Sequence, residues 1–422
     1  MFLDKNFKFF LILVFVFYIF IRLFHVPQSL GFGSDAGRDY LKILNIYEQK
    51  DFTLIGPPSR FTNDSYSFYF GPAPYYIMLP ALVVGNWSVL FASYYLIVLN
   101  SLAFITSMLI LATCVKKDDR FLIETWAILL LFFPLLIETS RTYWNPYFMP
   151  LVSALVVSIL IKFKHSSLKS WLAIILGFLF GLGLQFHFSY ALAIALCMSL
   201  LFFFRKLTIK GFLFILFGFC LGSLPLILFD LRNGFYNITV FLSSIKNLGS
   251  NSESIQFGSY YLISLIPFVI YFAAYFIARI KKSYAYAAYT FLVFYIISAL
   301  VYVIPSPKKG FDMVDNWNYP SLAKASNIVI SENPQNYNIV DQLTGDNRAM
   351  AMRYLLASQG SKPMGVTNYP ESDYLYVITH EPLQKILENP VWEISSGDNT
   401  NELKRWKINK SVTLYKLGKK TT

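Results

Sequence analysis

Residues 171–204 read WLAIILGFLFGLGLQFHFSYALAIALCMSLLFFF, and the fold turns on whether this stretch crosses a membrane once or twice. As a single helix its 34 residues would reach about 51 Å at about 1.5 Å per residue, well beyond a hydrocarbon layer of about 30 Å. Divided at Gln185-Phe186-His187-Phe188, the stretch becomes two short spans. Basic residues arbitrate, because they gather on the cytoplasmic side of short loops. With two spans, Lys5, Lys8, Lys116, Lys117, Arg120, Lys162, Lys164, Lys169, Arg205, Lys206, Lys210, Arg279, Lys281 and Lys282 all fall inside. Only Arg38, Lys42, Lys50, Arg60, Arg141, Arg232 and Lys246 fall in outer loops. A single span would carry Arg205, Lys206 and Lys210 outward and spoil the bias.

The other apolar runs are 9–25, 89–115, 121–137, 147–163, 211–229, 259–278 and 283–304. Together they predict a polytopic α-helical membrane protein of about nine spans. The amino terminus lies in the cytoplasm and the carboxyl terminus outside, as for a multi-pass plasma-membrane protein. The first run is too long for a signal-peptide core and Val26-Pro27-Gln28 offers no cleavage site, so it reads as an uncleaved anchor.

Composition agrees. The chain has 422 residues, 55% hydrophobic and 14% charged, with a mean hydropathy of +0.49. A soluble chain carries about 25% charged residues, which excludes an ordinary water-soluble enzyme. An aromatic content of 18% excludes disorder. The net charge of +12 comes without a basic-aromatic recognition motif, so it marks cytoplasmic loops and lipid headgroups rather than nucleic acid. Cys114, Cys197 and Cys220 lie in apolar runs and form no Cys-x-x-Cys pair.

Two outer segments look structured. Residues 26–88 form a long first loop in which 74–85 is apolar but too short to span, so it reads as an interfacial helix. Residues 305–310 (Pro-Ser-Pro-Lys-Lys-Gly) read as a linker. The chain therefore divides into a membrane domain, 1–305, and an extracytoplasmic domain, 306–422. In the latter, 337–342, 374–379 and 412–417 have strand patterns, and 347–358 and 383–388 helical ones, which makes a small α/β domain.

Charged groups avoid the span centres, where a transporter keeps them, and gather at the outer ends. The first cluster is Gly31-Phe32-Gly33-Ser34-Asp35-Ala36-Gly37-Arg38-Asp39-Tyr40. On a helix Asp35 and Asp39 share a face, with Arg38 beside Asp35. An aspartate there can act as general base on a hydroxyl. The plainer alternative is a capped interfacial helix with Asp35 near its amino end.

This segment resembles that of the GT-C type integral-membrane glycosyltransferases, in the branch of the protein O-mannosyltransferases and the lipid A aminoarabinose transferase. Phe70-Gly71-Pro72-Ala73-Pro74-Tyr75-Tyr76, Ser140-Arg141-Thr142-Tyr143-Trp144-Asn145-Pro146, Leu224-Pro225 and Phe229-Asp230-Leu231-Arg232-Asn233 are similar in order and placement. The resemblance covers about residues 7–305. It implies transfer of a sugar from a polyprenyl-phosphate carrier to an acceptor hydroxyl of a glycan, lipid or protein at the outer face. Configuration would invert, with Asp35 as base and Asp39 as a second candidate. The mannosyltransferases carry an adjacent Asp-Glu pair, whereas Ala36 follows Asp35 here. No acidic cluster like the metal set of the oligosaccharyltransferases is present, so no metal or cofactor is expected, with a divalent ion left open.

Arg38, Arg60, Arg141, Asn145, His187, Asp230, Arg232, Tyr75 and Tyr76 are the candidates for donor-phosphate and substrate contacts. Most have a plainer role: headgroup anchoring for Arg141, a turn for Asn145 and His187, mutual pairing for Asp230 and Arg232, an interfacial belt for the tyrosines. Two other functions compete, an outer-face glycan polymerase or ligase and a non-enzymatic transporter or assembly protein.

Overall fold

A computed structural model describes residues 5–63, 66–113, 120–165, 169–247, 258–280 and 285–419. The chain is mostly helical. Among the described residues five helices are long and apolar enough to cross a membrane: Lys5–Leu23, Val89–Ala112, Asn145–Phe163, Ser259–Ala278 and Tyr286–Val303. A sixth candidate is the pair Ile209–Gly222 and Leu224–Arg232, bent by 71°. Ala73–Val84, Ser170–Phe186 and Phe188–Phe203 are apolar but shorter. Large apolar side chains lie bare on these helices, Phe9 at 66% and Val301 at 67% exposure. Such faces suit lipid, because burying them there releases water from apolar surface.

Local chemistry explains the breaks. The run expected at 121–137 is two helices, Arg120–Leu131 and Pro134–Thr139. Pro134 forces its predecessor Phe133 into extended backbone (φ −72°, ψ 113°) and has no N–H to continue the helix. Pro225 is the second residue of the helix that follows the 71° bend. The stretch 171–204 does divide, and His187 makes the division. It is extended (φ −164°, ψ 139°), and its ring accepts the Ser189 N–H at 3.2 Å, capping the turn Phe188–Tyr190 that leads into Ala191–Phe203.

Chain contacts divide the molecule into two units. The first comprises 1–24, 52–81 and 94–305. In it Ser170–Phe186 and Ile209–Gly222 pack backbone to backbone through Gly177, Gly181, Gly218 and Gly222. A Cβ on Gly177 would stand 1.9 Å from the Ile215 carbonyl oxygen, and one on Gly218 2.0 Å from that of Ile174. Small residues four apart on both helices allow this approach, which drives helix association where no hydrophobic effect operates. A hairpin, β1 (Pro58–Asn63) with β2 (Tyr66–Tyr69), belongs to the same unit.

The second unit comprises 25–51, 82–93 and 306–422. Its sheet has the order β3-β4-β6-β5, formed by β3 (Tyr337–Asp341), β4 (Tyr374–Thr379), β5 (Asn399–Lys407) and β6 (Thr413–Lys419). β3 and β4 are parallel, and the other pairs are antiparallel. Val340, Leu375, Val377, Tyr415 and Leu417 fill the core with Ile386 and Ile394 from short helices. The helix Ser34–Gln49 is part of this unit. It buries Ala36, Gly37, Tyr40, Ile43 and Leu44 and crosses the helix Met350–Ala357 so closely that a Cβ on Gly37 would lie 2.3 Å from the Ala351 nitrogen. Phe32, Tyr40 and Tyr354 interlock beside that crossing, with ring centroids 5.2–5.8 Å apart.

Candidate active site

In the second unit the helix Ser34–Gln49 carries all three charged groups of its first turns to one place. Gly33 precedes it in extended backbone. Arg38 Nη1 donates to Asp35 Oδ1 and Arg38 Nε to Asp39 Oδ1, both at 2.8 Å. Their surroundings differ sharply. The Asp39 side chain is wholly buried, whereas that of Asp35 is 53% exposed and that of Arg38 34%. A buried carboxylate needs a partner to offset its lost hydration, and Arg38 is that partner. Asp39 thus anchors the guanidinium, the guanidinium steadies Asp35, and Asp35 is the carboxylate open to solvent.

The remaining candidates lie in the first unit. Arg141 is buried at 3% and its fork is occupied. Nε donates to Glu138 Oε2 at 3.0 Å, Nη2 donates to Glu138 Oε1, and Nη1 donates to the Phe24 carbonyl at 2.7 Å. Asn145 is buried and accepts from the Tyr143 hydroxyl at 3.2 Å. Asp230 does not turn to Arg232. It accepts the Asn237 N–H at 2.7 Å at the start of Tyr236–Asn247. The Asn237 amide in turn pairs with both backbone groups of Tyr69, at 2.9 and 3.0 Å. Arg232 is exposed. Arg60 lies on β1, and its side chain is outside the described residues, as is Cys114.

The segment 70–76 is held by a residue that sequence reasoning passed over. Gln185 accepts the Gly71 N–H on its carbonyl oxygen at 2.9 Å and the Ala73 N–H on Oε1 at 3.2 Å, and its Nε2 donates to the Gly222 carbonyl at 2.6 Å. A Cβ on Gly71 would meet the Gln185 side chain at 2.4 Å, so glycine is required there. Tyr75 is buried, and the Tyr76 hydroxyl donates to the Thr53 carbonyl at 2.7 Å. Phe70 meets the His187 ring at 4.9 Å between centroids, and Phe188, Tyr260 and Tyr261 complete an aromatic shell at 4.3, 5.6 and 5.2 Å from that ring. Trp144 continues the shell through Tyr260 at 4.8 Å. Burial pushes His187 down to about 3, so its ring is neutral near pH 7. Because Nδ1 accepts from Ser189, the proton sits on Nε2. The only direct signal for Gln185 was its polarity in the middle of the apolar stretch. Among the described residues no group of three His, Cys, Asp or Glu side chains gathers as a metal site needs.

No family model matches the chain, and no curated protein does. Among solved structures it is similar to ArnT from Cupriavidus metallidurans bound to undecaprenyl phosphate, over 98% of either chain, with a TM-score of 0.53 and 9% identity. At that identity the likeness is one of architecture, and the chain has an ArnT-like fold from end to end.

Proposed function

We propose that this protein is a GT-C type glycosyltransferase that moves a sugar from a polyprenyl-phosphate carrier to an acceptor hydroxyl at the outer face of the membrane. The arrangement at Asp35 carries the reading: a half-exposed carboxylate held by Arg38, itself anchored on buried Asp39. The ArnT-like fold, seen in a protein bound to undecaprenyl phosphate, supports a lipid-linked donor here. The chain crosses the membrane nine times, with 1–305 as the membrane domain and 306–422 outside. The two short spans of 171–204 and the Pro-broken run 121–137 are counted among the nine.

In the reaction the acceptor oxygen attacks the anomeric carbon from the face opposite the phosphate. The C–O bond to the phosphate breaks, polyprenyl phosphate leaves with the bonding electron pair, and the configuration inverts. Asp35 takes the hydroxyl proton as the new bond forms. Positive charge aimed at the leaving phosphate lowers the barrier, and arginine suits this role because its planar fork stays charged. Arg141 takes part by exchanging a bond to Glu138 or Phe24 for one to phosphate. Asn145, His187 and the aromatic shell around them contact the sugar and its lipid, and Arg60, Asp230 and Arg232 are further candidates for substrate contact.

The test is turnover by purified protein with a panel of polyprenyl-phosphate sugars, scoring transfer and hydrolysis. Release of polyprenyl phosphate from at least one donor is expected. Inertness towards the whole panel, with and without divalent ions and with glycan, lipid and peptide acceptors, would contradict the proposal.

A further inference from the structure

The amino end of the Asp35 helix has no side-chain cap of its own, since Gly33 precedes it. A side-chain contact reaches its first residue from 312 residues away. Ser34 Oγ donates to Asp346 Oδ2 at 2.7 Å. Asp346 is fixed in turn by Arg348, whose Nε donates to Oδ1 at 2.7 Å, Nη2 to Oδ2 at 2.9 Å and backbone N–H to Oδ1 at 3.1 Å. Arg353 then pins Arg348, donating from Nε to its carbonyl at 2.6 Å. The start of the same loop is closed by Asp341, whose Oδ1 accepts the Leu343 N–H at 2.8 Å and whose N–H donates to the Asn347 carbonyl at 3.1 Å.

We propose that Asp346 is a positioning residue for Asp35: its carboxylate clamps the first turn of the helix Ser34–Gln49 and so sets where the adjacent Asp35 carboxyl lies. The extracytoplasmic domain is, on this view, a working part of the catalytic apparatus. The inference rests on the reading of Asp35 as the base. An anion at a helix amino end is favourable because the unpaired N–H groups there carry partial positive charge. Burial pushes the Asp346 carboxyl up, but the bonds from Arg348 and Ser34 outweigh it and hold it below its ordinary value, so the clamp stays charged. The backbone contact of Gly37 with Ala351 fixes the helix one turn further on. Ser34 therefore ties the turn bearing Asp35 to Asp346.

The experiment uses the full chain in lipid nanodiscs and compares Ser34→Ala, Asp346→Ala, Asp346→Asn and the Ser34→Ala/Asp346→Ala double variant. Two readouts are taken: deuterium exchange at amides 34–38, and kcat and KM with an undecaprenyl-phosphate sugar that the parent turns over. Exchange in Asp346→Ala should rise roughly 10-fold or more, as a locally loosened turn does. Its kcat should fall roughly 10- to 100-fold, as a displaced catalytic group does, with KM little changed. Asp346→Asn, which keeps an oxygen acceptor, should recover most of kcat. The double variant should be no slower than Asp346→Ala, because both changes remove one bond. Unchanged exchange in both Ser34→Ala and Asp346→Ala, or losses in kcat that multiply in the double variant, would overturn the clamp. Parental turnover in Asp35→Asn would instead remove the catalytic reading beneath it, and the exchange data judge the clamp separately.

Discussion

Asp341 offers a stability test whose sign follows from its burial. It ends β3 at 3% exposure, and burial, with a smaller contribution from the nearby Asp346 charge, pushes its carboxyl from 3.8 up to about 7. The folded state therefore holds a proton that the unfolded state gives up over this interval. Stability is greatest below about pH 4, falls as pH rises towards about 7, and levels off above. A shift of about 3 units corresponds to about 4 kcal/mol at most. Between pH 5 and pH 8 the loss amounts to roughly 2–3 kcal/mol, or roughly 30- to 150-fold in the population of the opened domain. Asp341→Asn keeps an oxygen for the Leu343 N–H and removes the titration. The assay is deuterium exchange at β3 and β4 amides, variant against parent at each pH, so that the intrinsic chemistry of exchange cancels. Protection in the variant should exceed the parental value by a margin that grows from pH 5 to pH 8. A margin that stays flat, or shrinks with rising pH, would refute the reasoning.

Gly218→Ala forces a methyl to 2.0 Å from the Ile174 carbonyl oxygen. It should destabilise the helix pair by about 1–3 kcal/mol, the range for overpacking, read as a lower melting temperature in detergent. Arg141→Ala should weaken donor binding roughly 10- to 150-fold if a charged hydrogen bond of about 1.5–3 kcal/mol to phosphate is lost. It also strands the buried Glu138. Arg141→Ala/Glu138→Gln should therefore restore expression without restoring donor affinity, and recovery of both would return Arg141 to a purely structural role. Reporter fusions near residues 310 and 420 should be active only as extracytoplasmic reporters; cytoplasmic activity at both positions contradicts nine spans and the orientation of the site.

Much of the helical architecture was legible because apolar length is a property of the chain itself. The division of 171–204 followed from its excess length, and the structure places the break at His187, inside the expected tetrad. The strands Tyr337–Asp341 and Tyr374–Thr379 were readable as apolar runs between turn residues. β5 was not, because it is largely exposed along Asn399–Lys407 and lacks an apolar face. The break at Pro134 was foreseeable from proline alone, but a hydropathy reading passes straight over it. The glycines at 177, 181, 218 and 222 were similarly invisible to a count of apolar length. At the site, helical spacing brought Asp35, Arg38 and Asp39 together, as their i, i+3, i+4 positions imply. Which carboxylate is buried depends on the packing of the helix, so spacing could not separate Asp35 from Asp39. Ser34 and Asp346 carry no local mark at all, since their meeting is a product of tertiary structure.

The most direct test of the central claim is single-turnover transfer by Asp35→Asn, set beside Asp39→Asn at matched expression and donor occupancy. Asparagine keeps the size of Asp35 and an oxygen to accept the Arg38 Nη1–H, so insertion and donor binding should be preserved. Transfer by Asp35→Asn should slow by roughly 100-fold or more, the contribution of a general base. Asp39→Asn should cost less, because Asp39 acts through Arg38 rather than on the acceptor. Parental transfer by Asp35→Asn with a dead Asp39→Asn would move the base one helical turn along. Full activity in both would contradict the catalytic reading of this helix.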